Sequence, residues 1–281
     1  MRLSGFLRVS LLPLIIVPSA AMAQGLPKLR NIIAPHRAVY DISLARTEQG
    51  SGVSSAHGRM VFEVTGSVCD GYRMRQRMVV NIGDDEGNVG LLDFQVRTFE
   101  SGDGTVYSFD SRTTMNKEVV EAVAGEARRD GSRIEVSLKQ PTEKKITLDS
   151  GVLFPSQHLQ AIIDAALANR NFLSVDIYEG AGSGEASDSA SAAIGQAMPV
   201  EGEGSLLRAG VRGWPVSVGY FEPDKRTSEE GLGEELPSYQ MSFTLYENGV
   251  TNDLVMDYGD YALAGSIKDI EPLSSPDCSS R

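Results

Sequence analysis

The sequence predicts a mainly antiparallel β-protein curled into a barrel, half-barrel or spiral, with a single α-helix. Two observations carry this. Apolar residues alternate with period two in about a dozen short segments divided by Gly-, Asp- and Asn-bearing turns. Only one stretch, after Phe154-Pro155, has the three-to-four spacing of an amphipathic helix. A lone helix argues against repeated βαβ units. An antiparallel sheet of this many strands cannot stay open with both edges bare.

The chain begins with a positive stretch carrying Arg2 and Arg8, then an apolar run, Leu11–Val17, followed by the small-x-small triplet Ala21-Met22-Ala23. This reads as a secretory signal over residues 1–23, with an uncleaved interfacial anchor as the alternative. The run is too short to span a bilayer, and no cysteine follows the cut to carry a lipid. Residues 24–281 then form a single domain of about 260 residues in the periplasm, with no stable membrane insertion after signal cleavage.

Ala38, Tyr40, Ile42 and Leu44 share one strand face, as do Met60, Phe62 and Val64. Tyr72, Met74, Gln76, Met78 and Val80 alternate with Arg73, Arg75 and Arg77 before the Asp84–Asn88 turn. Leu92, Phe94 and Val96 begin a meander that continues through 105–111, 119–123, 134–138 and 144–148. The helix starts at Pro155 and presents Leu159, Ile162, Ile163, Ala166 and Leu167 as one stripe before Asn169-Arg170-Asn171. A strand over 172–178 precedes a Gly-, Ala- and Ser-rich stretch, 180–196, that reads as a flexible insertion. Strands resume at Trp214–Phe221 and at Tyr239–Leu245, divided by an acidic loop over 222–236. Asn248-Gly249 is a hairpin signal, with a return strand over 253–257 and a last one over 262–267.

The net charge of −12 becomes more negative once Arg2 and Arg8 are cut away, which disfavours nucleic acid and anionic headgroups as partners. Cys69 and Cys278 are an even pair in an exported chain, which favours one disulfide; two unpaired thiols are the alternative. No cofactor or metal is expected. His36, His57 and His158 share no ligand spacing, and Asp84-Asp85-Glu86 lacks the oxygens of a calcium loop. Ser217 has Pro215 where a nucleophile elbow needs Gly, and Gly180, Gly182 and Gly184 run into Glu185 where a pyrophosphate would sit. Arg73, Arg75 and Arg77 are expected to pair with carboxylates of a neighbouring strand. Met60, Met74, Met78, Met241 and Met256 suit either ordinary core packing or an adaptable apolar binding surface. A hydrolase would need His158, or a pair such as Glu63 and Asp93, to converge in a cleft.

Several short motifs in order resemble the envelope integrity protein B (EipB) family of Gram-negative bacteria. They are Phe154-Pro155-Ser156-Gln157-His158, Trp214-Pro215-Val216, Tyr246-Glu247-Asn248-Gly249-Val250, Asp257-Tyr258-Gly259-Asp260-Tyr261 and the Cys69/Cys278 pair. The resemblance implies a periplasmic β-spiral wrapped around a central helix, similar in architecture to the lipoprotein carriers LolA and LolB. It implies a disulfide that supports stability, no catalytic residues, and a part in envelope integrity and envelope-stress resistance. The expected function is therefore non-enzymatic binding of a periplasmic protein, peptide or lipidated partner. A lipid or lipoprotein carrier working through the spiral interior, and an envelope hydrolase, are the alternatives.

Overall fold

The computed structural model describes residues 29–30, 32–199, 206–207, 211–222, 236–274 and 278; the expected signal segment, residues 1–23, and most of the acidic 222–236 loop lie outside them. The strands are β1 (His36–Thr47), β2 (Ser55–Ser67), β3 (Gly71–Gly83), β4 (Val89–Glu100), β5 (Val106–Met115), β6 (Glu118–Asp130), β7 (Arg133–Gln140) and β8 (Lys144–Asp149). The helix α1 (Pro155–Leu167) follows, then β9 (Phe172–Ile177), β10 (Asp188–Ile194), β11 (Met198–Pro199), β12 (Arg212–Phe221), β13 (Tyr239–Tyr246), β14 (Thr251–Asp257) and β15 (Tyr261–Pro272). All belong to one sheet ordered 8-7-6-5-4-3-2-1-15-14-13-12-10-9, with β11 paired to β12 off that path. Every strand-to-strand pairing is antiparallel.

The period-two pattern is the cause of this layout. In β1, His36, Ala38, Tyr40 and Ile42 are buried while Arg37, Asp41 and Ser43 are exposed. Two long meanders leave β1 in opposite directions, one through β2–β8 and one through β15 back to β9. Bulges in the β1–β15, β5–β6, β6–β7 and β13–β14 pairings add curvature. The two ends of the sheet then meet. Leu153, between β8 and α1, forms a parallel bridge to Ile177 of β9: its N–H donates to Asp176 O (2.8 Å), and Tyr178 N–H donates to Leu153 O (2.9 Å). These bonds satisfy part of the edge that β9 would otherwise present.

The structure differs from the flexible insertion expected near 180–196. Residues 180–196 are not an insertion: 188–194 form β10, paired on both sides by β9 and β12. Their linker-like composition has a packing cause. Ala190 and Ala192 are fully buried in one cluster with Ile162, Ile163, Ala165 and Ala166 of α1, where small side chains let helix and sheet approach closely. The turn before β10 also packs inward. Tyr107 OH donates to Glu179 O (3.0 Å), and Tyr178 OH donates to Gly184 O (2.8 Å). Gly180, at φ +66°, lies so close to the Phe109 ring that a Cβ would fall 2.4 Å from it.

The helix is buried on most of its circumference, through Gln157, His158, Gln160, Ile162, Ile163, Ala165 and Ala166. It packs with Trp214, Val216, Val218 and Leu245 of the second meander. At its N-terminus, Phe154 joins Tyr107, Phe109, Ile134 and Val136 of the first. A second core, away from the helix, gathers Tyr40, Met60, Met78, Val80, Leu254 and Met256. Cys69, in the β2–β3 turn, is bonded to Cys278 with a Cα–Cα distance of 5.8 Å, so the tail beyond β15 is pinned across β1 to the tip of β2.

Candidate functional site

Where the helix does not reach, the curled sheet leaves a partly open cavity of about 430 Å³. It is built by residues far apart in sequence: Phe94 from β4, Tyr220 from β12, Tyr239 from β13, Tyr258 beyond β14, and the inward turn carrying Glu179, Ala181, Ser183 and Asp188. Two facts position the rings. Tyr220 and Tyr239 are cross-strand partners in the β12–β13 register, and Tyr258 closes the tight turn to Tyr261, its N–H donating to Tyr261 O at 3.0 Å. The four rings run as a ladder, with centroids 5.7 Å apart from Tyr220 to Tyr239, 5.2 Å to Tyr258 and 5.1 Å to Tyr261.

The chemistry of this lining is aromatic and acidic. Loss of hydration pushes the phenols of Tyr220 and Tyr239 well above their ordinary value and Tyr258 up to about 12, so all three stay protonated. Glu179 is pushed up to about 7, chiefly by loss of hydration and further by the neighbouring Asp188 carboxylate. Glu222 also lines the space, and no lysine or arginine does among the described residues. The methionines do not form the lining. Met60 faces Met78 and Met241 faces Met256 in register, and Met60, Met78 and Met256 are buried in the core beneath.

The other candidate residues are not brought together. His158 is buried in the first turns of α1 with no partner for Nε2, and burial holds it down at about 4, so it is neutral. His36 is likewise buried and lowered; its Nδ1 lies 2.7 Å from Ala34 O. His57 is exposed on β2. Glu63 and Asp93 each face their own arginine, Arg75 at 3.9 Å and Arg77 at 2.8 Å, and Arg73 lies 4.8 Å over the Phe99 ring. The arginine stripe is thus matched by neighbouring strands. Asp84 accepts from Glu86 N–H and from both N–H groups of Asn88, which makes the acidic turn a closed hairpin tip. Ser217 lies within β12, bonded to Gln240 and Ser242, not on an elbow. No group of three His, Cys, Asp or Glu able to hold a metal occurs among the described residues.

One buried carboxylate escaped sequence reasoning. Glu100, 2% exposed, accepts Ser156 N–H at 2.7 Å and so anchors the start of α1. Burial pushes it up to about 7 against the pull of that bond and of Arg129. Because its folded-state value is raised, its contribution to stability is full below about 4.5 and is lost as pH rises through about 7. His158, whose folded-state value is lowered, acts oppositely: its contribution is lost as pH falls from about 6.5 towards about 4. The Glu100→Gln variant is therefore expected to match wild type near pH 4.5 and to exceed it by ~3 kcal/mol at pH 8. Urea melts at the two pH values check this; an equal difference at both would contradict it.

Residues 30–274 match the family model described as EipB-like. The chain is 33% identical over 240 residues to the cell envelope integrity protein EipB of Brucella abortus (strain 2308), covering 84% of this chain and 82% of that protein. It is also similar to the crystal structure of a β-barrel-like protein of a domain of unknown function from Brucella abortus. The TM-score is 0.78 at 30% identity, over 87% of this chain and all of that one.

Proposed function

The chain belongs to the EipB-like family, and from that premise we propose that it maintains cell envelope integrity by non-enzymatic binding in the periplasm. The relative's name supports the envelope role. The observation that carries the binding reading is the aromatic cavity at the open part of the curled sheet, of a size suited to a side chain or small ligand. A hydrolytic reading finds no support: the histidines are buried or solitary, and the carboxylates named for it are tied to separate arginines. The signal segment supports a periplasmic location. No helix among the described residues is long and apolar enough to cross a membrane.

The carrier alternative has a weaker footing, because carboxylates and phenol hydroxyls share the lining with the apolar rings. Native mass spectrometry tests the binding reading. Protein isolated from periplasm is expected to carry a bound ligand mass that is lost in Ala181→Trp, a substitution that fills the cavity. Bare protein in both samples would overturn the reading, and a phospholipid or lipopeptide mass would favour the carrier.

A further inference from the structure

We infer that the cavity receives the terminal pyranose ring of a neutral glycan, with the tyrosine wall against its C–H face and the β9–β10 turn against its hydroxyls. The inference rests on the binding reading above and adds the ligand class.

Three features lead to it. The first is that the lining has two unlike sides. Tyr220, Tyr239 and Tyr258, with centroids 5.7 and 5.2 Å apart, join Phe94 in supplying flat apolar surface. Glu179 and Ser183 come from the turn between β9 and β10, and Ser238 from the chain before β13; these supply polar atoms. A pyranose ring has the same division, since C–H groups cover its faces and hydroxyls edge it. Tyrosine suits such a ligand, being apolar over the ring and polar at the tip. The second is the hydrogen-bonding character left on the polar side. Ser183 Oγ accepts Glu185 N–H at 3.3 Å, which leaves its own hydrogen to donate. Ser238 Oγ donates to Tyr220 O at 3.0 Å, which leaves its lone pairs to accept. Glu179, pushed up to about 7, can do either near neutral pH. Such a mixture matches hydroxyl groups, which donate and accept at once; an ionised phosphate only accepts and an ammonium only donates. The third is size. At about 430 Å³ the cavity lies near the small end of ligand sites, which run from about 300 to 1,000 Å³. The ring enters, and the rest of the glycan stays outside.

The same features separate the sugar from other ligands. An acyl chain would cover Glu179 and the serine hydroxyls without replacing their hydrogen bonds to water, a cost that a hydroxyl-bearing ligand avoids. An anionic sugar would bring its charge beside Glu179 and Asp188. A cation is not called for, because Asp188 and Glu222 already have interaction partners. The groove on the first meander, lined by Arg73, Arg75, Arg97 and Lys139, does not compete for the role. The Arg73 guanidinium already lies over the Phe99 ring there, and Arg75 faces Glu63.

The test is saturation-transfer NMR, with calorimetry for affinities, on protein isolated from periplasm. The probes are methyl glycosides of glucose, galactose, mannose and N-acetylglucosamine, with methyl glucuronide, methyl glucosaminide and octanol as controls. At least one neutral glycoside is expected to bind, with transfer strongest to its ring C–H protons; the glucuronide and octanol are not expected to bind. The glucosaminide should bind no tighter than the neutral glycoside. Glu179→Ala should weaken glycoside binding about tenfold, Tyr258→Leu about fivefold, and Ala181→Trp should abolish it. Circular dichroism verifies folding, and Tyr239→Leu supplies a second aromatic variant should Tyr258→Leu be unstable. Octanol that binds where the glycosides do not, and is lost in Ala181→Trp, would overturn the sugar class while leaving the cavity reading intact. Glucosaminide that binds tenfold tighter than every neutral glycoside, through Glu179, would overturn the neutral class. Glycoside binding unchanged in Ala181→Trp and Tyr258→Leu would overturn the site. Absence of binding by every probe would overturn the sugar class alone if native mass spectrometry shows a bound ligand, and both readings if it shows bare protein.

Discussion

Cys278→Ser is expected to lower the melting temperature under oxidising conditions by ~10 °C, and reductant should have the same effect on the wild type. The reasoning starts from the unfolded chain. The bond joins residues 209 apart, so it closes a loop containing most of the sheet, and the chain-entropy model assigns such a loop about 5 kcal/mol as a ceiling. In the folded state the bridge joins segments that are already near neighbours. The tail leaves β15, which pairs β1, which pairs β2, and Cys69 follows directly on the end of β2. Leu273 N–H donates to Pro35 O at 2.9 Å, so the tail is held beside the start of β1 without the bond. The variant is therefore expected to fold to the same structure and to melt earlier. Melts followed by circular dichroism, with and without reductant, check this. Equal melting temperatures in all samples would show that the bridge contributes nothing.

Phe154→Ala should cost ~4 kcal/mol, among the larger effects available from a single truncation in this chain. Phe154 is fully buried and caps the start of α1. Its ring stacks on Tyr107 at 5.3 Å and lies beneath the Arg129 guanidinium at 4.9 Å. Arg129 in turn donates to Val152 O at 2.9 Å and to Gln157 Oε1 at 3.2 Å, and Gln157 Oε1 also accepts Phe154 N–H at 3.0 Å. Truncation leaves a cavity where β5, the chain before α1 and the closing turn at Tyr178 converge. It thus strikes the point at which the ends of the sheet are joined. Urea unfolding measures the loss. A cost below about 1 kcal/mol would mean that the junction is closed by the backbone bridge at Leu153 alone.

These two sites differ in how far sequence reasoning reaches them. Cys69 and Cys278 are legible from count and compartment. The strands of β1, β3 and β13 are legible because period two survives wherever one sheet face is buried. The helix is legible because Leu159, Ile162, Ile163 and Ala166 keep a single stripe. β10 is not, because Ala190 and Ala192 pack as small side chains beneath the helix, and small residues have the composition of a linker. Glu100 is not, because an acidic residue at a strand end reads as solvent-facing until Ser156 is seen above it. The cavity is hidden for a different reason. Tyr220, Tyr239 and Tyr258 lie on separate strand ends, and only the β12–β13 register and the curl that brings Phe94 opposite them make them one surface.

Under the proposed function, the protein serves the envelope through occupancy of this cavity. Complementation of a strain lacking the protein, scored as survival under envelope stress, tests this most directly when folded Ala181→Trp and His57→Ala proteins are exported at equal levels. His57→Ala is expected to restore survival, and Ala181→Trp is not. Full rescue by Ala181→Trp would contradict it.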